Sequence, residues 1–170
     1  GDQFFLPDSS QFYFDQLPGE NYLRYVPNTD HSLSDSDARE SIAAYTSLVA
    51  AGVPRPKFSW SMEEDGSIRV LTADQPSEVR LWQAVNPDAR DFRLATLGAA
   101  WSSRLLGSDG GGVYHGRVLL PEKGWIAFFV ELTYTPAAGK KLKFTTAVRV
   151  LPDVLPYIEK LEVYRSGKTP

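Results

Sequence analysis

Asp2 and His31 are the two residues whose type and placement best suit acid–base chemistry. Asp2 stands where a preceding strand would end, and His31 lies in the loop after a β-prone run at residues 22–26. In an open parallel sheet, the loops after the strands face one crevice, so the two side chains are expected to meet. A carboxylate can orient an imidazole that takes a proton from a serine hydroxyl. The spacing leaves a second interpretation open, in which His31 caps a loop or packs under Tyr25.

The elements that would position this pair lie in the first 53 residues. A helix-start signal at Asp8 or Ser9 is followed by the β-prone run 22–26, and then by a capping-box-like pair before a second helix. Helix, strand, loop and helix in this order are typical of an α/β unit. Acid followed by histidine is also how the α/β-hydrolase order of Ser, Asp/Glu and His ends. We therefore predict that residues 1–53 are the end of an α/β-hydrolase-like domain.

The remainder of the chain shows short strands separated by turns. About seven strands without a helix between them predict an antiparallel, all-β sandwich of immunoglobulin-like type over residues 54–152. Residues 153–170 are expected to form a C-terminal extension. The predicted strands are residues 57–62, 67–72, 78–85, 92–97, 113–120, 125–134 and 142–150.

Composition narrows the class of protein. The 170 residues are 42% hydrophobic and 12% aromatic, which is enough to bury a core, and the net charge of −3 argues against a nucleic-acid partner. No apolar run reaches the roughly 20 residues needed for a membrane span. Cysteine is absent, which excludes thiolate catalysis. No cofactor or metal is predicted, because the glycines at 110–112 lack a following Lys-Ser/Thr and the acidic residues 63–65 lack metal-loop spacing.

The tryptophans offer an alternative function. Aromatic side chains can form a platform on which a carbohydrate stacks, although core packing is the simpler explanation. Alternation predicts that Trp82 is buried, whereas Trp101 beside two serines is expected to be more exposed. The four tryptophans are Trp60, Trp82, Trp101 and Trp125.

Long mixed strings in both halves carry a family resemblance. They run from about residue 2 to residue 156 and include Phe4-Phe5-Leu6-Pro7-Asp8-Ser9-Ser10, Tyr25-Val26-Pro27-Asn28-Thr29-Asp30-His31-Ser32-Leu33, Val79-Arg80-Leu81-Trp82-Gln83-Ala84 and Ala89-Arg90-Asp91-Phe92-Arg93. The chain resembles the PhoPQ-activated pathogenicity-related protein family. That resemblance implies an exported protein, periplasmic or secreted, with an α/β-hydrolase-like domain followed by a β-rich part.

The resemblance also implies that Asp2 occupies the position of the triad acid and His31 that of the triad base. With the remainder of the protein present, the hypothesis is a serine hydrolase acting on an ester or amide. The sequence departs from this pattern because it contains no Gly-x-Ser-x-Gly elbow. We therefore expect this chain to be the C-terminal part of a larger protein, inactive by itself, whose upstream part carries the nucleophile serine. The alternative is a non-catalytic module of the same fold that binds a protein or carbohydrate surface.

Overall fold

Antiparallel strands form most of the regular structure in the computed structural model, which describes residues 1–135 and 141–155. Many strand residues are β-branched or aromatic, side chains that pack well on a pleated surface. Within the described residues the strands are β1 (Phe58–Met62), β2 (Ile68–Thr72), β3 (Glu78–Asn86), β4 (Ser102–Leu105), β5 (Val113–Gly116), β6 (Trp125–Tyr134), β7 (Leu142–Thr145) and β8 (Arg149–Leu151).

Two sheets are built around β6 and β2. The first has the order β1-β2-β5, and the second has the order β4-β3-β6-β7, with β8 also paired to β6. β3 and β6 pair in antiparallel register from Glu78 opposite Thr133 to Asn86 opposite Trp125. The β-rich, antiparallel architecture predicted for this part of the chain is confirmed.

The five-stranded sheet is covered on both faces, which explains why nearly every residue of β6 is buried. Phe128 and Val130 join a core cluster that also contains Ile68 of the three-stranded sheet. Phe129 belongs to a second cluster with Trp101, against which Tyr25 of the N-terminal segment packs. Successive side chains of a strand point to opposite faces, so this alternation assigns one core to each face.

The N-terminal segment contains little sheet. It has 3-10 helices at Ser9–Phe12 and Phe14–Gln16 and one α-helix, α1, at Ala38–Ala50. The strand predicted at residues 22–26 was wrong, because its pairing is a single antiparallel bridge between Leu23 and Thr145. The ladder stops there because the Tyr25 amide donates to the Thr145 hydroxyl, at 3.0 Å, instead of to a backbone carbonyl.

Other sequence predictions failed where side chains compete for backbone groups. Residues 92–97 include the short helix α2 (Leu94–Leu97), because the Asp91 carboxylate accepts from the Arg93 amide and the Thr96 hydroxyl. The run 142–150 is two strands, because the Thr146 hydroxyl accepts from the Val130 amide and interrupts the ladder. β4 was not predicted at all.

Several predictions about organisation are not tested by this architecture. The strand pairs among the described residues are all antiparallel, so the parallel α/β-hydrolase piece stays a prediction, as does the immunoglobulin-like arrangement. Most of the predicted extension 153–170 lies outside the described residues. Across the described ranges, no helix combines the length and apolar character that crossing a bilayer requires.

Candidate functional site

Asp2 and His31 lie together at the N-terminal end of the described chain. The Nδ1 atom of His31 is 2.8 Å from Oδ2 of Asp2, within hydrogen-bond distance. The other carboxylate oxygen, Oδ1, accepts from the backbone amides of Phe4 at 2.7 Å and Phe5 at 3.2 Å. The carboxylate is therefore held by its own turn and presents its free oxygen to the imidazole.

The two segments that carry the pair are fastened to each other and to the β-rich part. Gln3 accepts from the His31 amide through Oε1, at 3.2 Å. Asn28, three residues before His31, donates to the Trp101 carbonyl and accepts from the Trp101 amide, both at 2.9 Å. Gly1 fits tightly against the same loop, because a Cβ there would lie 2.4 Å from the Thr29 carbonyl oxygen. A small residue before Asp2 thus permits the close approach.

The electrostatics favour an ionised carboxylate at Asp2. Burial opposes ionisation, but the hydrogen bonds from His31 and from the Phe4 and Phe5 amides outweigh it and lower the pKa of Asp2. An ionised Asp2 accepts a hydrogen bond from the protonated Nδ1 of a neutral imidazole, which leaves Nε2 as a hydrogen-bond acceptor. This is the tautomer that a general base needs for removing a proton from a hydroxyl group.

The pair is open to solvent, and in the described part of the chain no nucleophile hydrogen-bonds to the imidazole. The side chain of His31 is 51% exposed and that of Asp2 is 31% exposed. Among the described residues, no serine hydroxyl hydrogen-bonds to the imidazole; the edge of Phe4 packs on it, with ring centroids 4.9 Å apart. The structure thus brings the predicted acid and the predicted base into contact.

A cavity of about 730 Å³ lies beside Asp2, between the N-terminal segment and the second face of the five-stranded sheet. Its volume falls within the range of small-molecule sites. The lining is largely apolar and includes Phe5, Leu6, Phe12, Tyr25, Trp101 and Phe129.

Four side chains of alternating charge connect the segment that carries His31 to the five-stranded sheet. They are Glu131, Arg24, Asp37 and Lys143. Arg24 contacts Glu131 at 2.8 Å and Asp37 at 2.6 Å, and Lys143 contacts Asp37 at 2.6 Å. Sequence reasoning missed this cluster. The available signal was Glu131 itself, a charge at the end of the most apolar run of the chain, but its partner lies far away in sequence.

The remaining candidates take part in a side-chain pair and in aromatic packing. His115 pairs with Asp109 at 2.6 Å on the turn before β5, remote from His31 in sequence. Trp101 is only 7% exposed and packs on Phe92 and Phe129, contrary to the prediction that it would be the more exposed tryptophan. Within residues 1–135 and 141–155, no group of three or more His, Asp or Glu side chains is arranged to hold a metal ion.

Comparison with known protein families agrees with the resemblance seen in the sequence. The family model described as "PhoPQ-activated pathogenicity-related protein" matches residues 1–93, more than half of the chain. The chain belongs to this family. The match covers Asp2, His31 and the loop between Arg24 and Asp37.

One curated relative is similar in sequence to most of this chain. Autocrine proliferation repressor protein A of Dictyostelium discoideum is 36% identical over 184 aligned residues, which cover 92% of this chain. The alignment covers 37% of that relative, so this chain spans little more than a third of its length. No solved structure matches the chain.

Proposed function

We propose that this chain supplies the acid and the base of a serine hydrolase that acts on an ester or amide. Asp2 orients His31 and stabilises its cation, and His31 takes the proton from a nucleophile serine. The observation that carries the proposal is the 2.8 Å contact between Asp2 Oδ2 and His31 Nδ1, with Oδ1 fixed by two backbone amides.

The serine belongs, in this proposal, to an upstream α/β-hydrolase-like part of the same protein. The placement follows the family resemblance and the chain order Ser, Asp/Glu, His, and the printed sequence contains no Gly-x-Ser-x-Gly elbow. The alignment covers 37% of the relative, which leaves room for such a part in a longer protein. A set of exposed apolar side chains lies next to the Asp2–His31 pair, which we call the dyad. These side chains offer the surface on which the upstream part would pack. They are Phe4, Phe5, Leu6, Phe12, Tyr13 and Leu33.

The test uses the longer polypeptide that this proposal requires. We expect that replacing His31 with alanine lowers the turnover of a p-nitrophenyl ester or anilide by about 10⁴-fold or more, and that Asp2→Asn has an effect of similar order. Labelling by a fluorophosphonate falls with it. His115→Ala is the matched control, because it removes the other histidine of an Asp–His pair and leaves turnover unchanged. Full turnover in a folded His31→Ala protein contradicts the proposal.

A second candidate is a binding module without catalysis. The name of the Dictyostelium relative describes a repressor of proliferation, and the exposed apolar residues next to the dyad suit a protein contact equally well. In that case the His31→Ala protein binds its partner as well as the wild type does, and no ester or amide is turned over. For the carbohydrate version, a titration of the chain with soluble glycans followed by tryptophan fluorescence is decisive, since no response removes it.

A further inference from the structure

The loop that carries His31 is closed at both ends by one side chain. The loop runs over residues 25–36, between Arg24 and Asp37. The Arg24 guanidinium donates from Nη1 to the Tyr25 carbonyl at 2.5 Å and from Nη2 to Asp37 Oδ1 at 2.6 Å. Tyr25, the first residue of the loop, and Asp37, which directly follows the loop, are therefore held at a fixed separation.

The same guanidinium is anchored in the sheet. Arg24 Nη1 also donates to Glu131 Oε2 at 2.8 Å, and the side chain of Glu131, on the central strand β6, is only 3% exposed. A buried carboxylate is costly unless it is paired, so Glu131 constrains where the guanidinium sits. Lys143 of β7 contacts Asp37 at 2.6 Å and lies 3.8 Å from Glu131, which completes the four-charge cluster.

The charges of this cluster support one another. Burial raises the pKa of Asp37, but Lys143 and Arg24 outweigh it, so the pKa lies below its ordinary value. The contact between Asp2 and His31 contributes little to its own ordering, because both side chains are partly exposed. The order of the dyad must therefore come from the backbone that presents it.

We propose that Arg24 and Glu131 are positioning residues for His31, so that the five-stranded sheet sets the geometry of the acid–base pair. The inference rests on the proposed function for its catalytic meaning. Three contacts connect the sheet to the pair. Glu131 holds the Arg24 guanidinium, and Arg24 holds both ends of the loop. The loop in turn holds Nδ1 of His31 against Asp2. It gives the β-rich part a role in the site although that part contributes neither member of the dyad.

The readout is the tautomer of the neutral His31 ring. ¹⁵N chemical shifts of a histidine-labelled chain, taken at about pH 9 where imidazoles are neutral, distinguish a proton on Nδ1 from one on Nε2. The contact with Asp2 favours the tautomer that carries the proton on Nδ1. When this contact is lost, the tautomer that carries the proton on Nε2 becomes more populated. His115 is the internal reference. Its Nδ1 atom lies 2.6 Å from Oδ2 of Asp109, the same kind of contact, and neither residue belongs to the charge cluster.

Two variants loosen the cluster and a third serves as the control. Arg24→Lys keeps the positive charge but cannot bridge Tyr25, Asp37 and Glu131 together, and Glu131→Gln removes the buried charge. Val70→Ala, in the core of β2, destabilises the fold without touching the cluster. We expect both cluster variants to reduce the Nδ1-protonated population of His31 at least twofold, while His115 in all proteins and His31 in Val70→Ala stay unchanged.

The outcomes separate this inference from the proposed function. If wild-type His31 shows the same tautomer as His31 in an Asp2→Asn chain, the dyad is absent in solution and both ideas fail. If the wild type shows the Asp2-dependent tautomer and folded Arg24→Lys and Glu131→Gln chains retain it, the positioning role is overturned and the dyad stands. Should Glu131→Gln not fold, Arg24→Lys alone decides.

Discussion

The side chains of Arg24 and Glu131 meet at 2.8 Å although the two residues are 107 positions apart in the chain. Arg24 belongs to the segment that leads into the His31 loop, and Glu131 lies in the middle of the sheet. The contact therefore ties the part of the chain that carries the dyad to the part that forms most of the core. A connection of this length is specified by the fold and by no local sequence signal.

Removing the cation from this contact is expected to be expensive. Arg24→Met leaves the Glu131 carboxylate buried with Lys143 as its nearest cation, 3.8 Å away. We expect the free energy of unfolding to fall by about 3 kcal/mol, since breaking a buried ion pair leaves an uncompensated charge. Urea unfolding followed by tryptophan fluorescence measures it.

An exposed ion pair provides the matched control. Lys123 contacts Asp88 at 2.9 Å, but both side chains are more than 70% exposed. Lys123→Met removes a cation of similar length and is expected to cost less than about 1 kcal/mol. Equal losses in the two variants would mean that Glu131 is hydrated in solution and that Arg24 is not needed to hold its charge.

The sequence was most informative where one strand dominates the core. β6 occupies the predicted residues 125–134, because a long run of apolar and β-branched side chains has few other places to go. Helix α1 was likewise expected, as the second helix of the N-terminal segment, and it spans Ala38–Ala50. These elements follow from local pattern because burial and pattern agree.

The failures come from partners that lie far away in sequence. Alternation predicted that Trp82 is buried, and the two serines after Trp101 predicted that Trp101 is more exposed. Trp82 is only partly buried, whereas Trp101 is buried, because the segment after α2 folds over the second face of the sheet. The contact between Asp2 and His31 was expected from the crevice of a parallel sheet. In the described residues the two meet through Gln3, Asn28 and the charge cluster, none of which the spacing of Asp2 and His31 predicts.

Gly124, at the turn into β6, is predicted to tolerate no side chain. Its φ is +82°, and a Cβ there would lie 2.2 Å from the Asn86 carbonyl oxygen. Gly124→Ala is expected to lower the free energy of unfolding by at least about 2 kcal/mol, because the left-handed backbone alone costs about 1–2 kcal/mol. Thermal unfolding by circular dichroism measures the loss.

Gly107 is the glycine to compare with it. No heavy atom lies within 4 Å of a Cβ built there, and its φ is outside the left-handed region. Gly107→Ala is expected to change stability by less than about 1 kcal/mol, in the stabilising direction, because alanine restricts the unfolded chain. A Gly124→Ala protein as stable as Gly107→Ala would show that the turn before β6 adopts another conformation in solution.

The last prediction concerns the acid of the dyad and its pH dependence. The folded-state pKa of Asp2 lies below the ordinary value of 3.8, so ionised Asp2 adds stability above that pH, and the contribution is lost as the pH falls through the folded pKa. A carboxyl ¹³C titration of the wild-type chain should therefore place this group below 3.8. In His31→Ala the value should rise, although not fully, because the Phe4 and Phe5 amides still donate to Oδ1. His115→Ala should leave Asp2 unmoved; a shift there equal to that in His31→Ala would mean that net charge, and not the 2.8 Å contact, sets the Asp2 pKa.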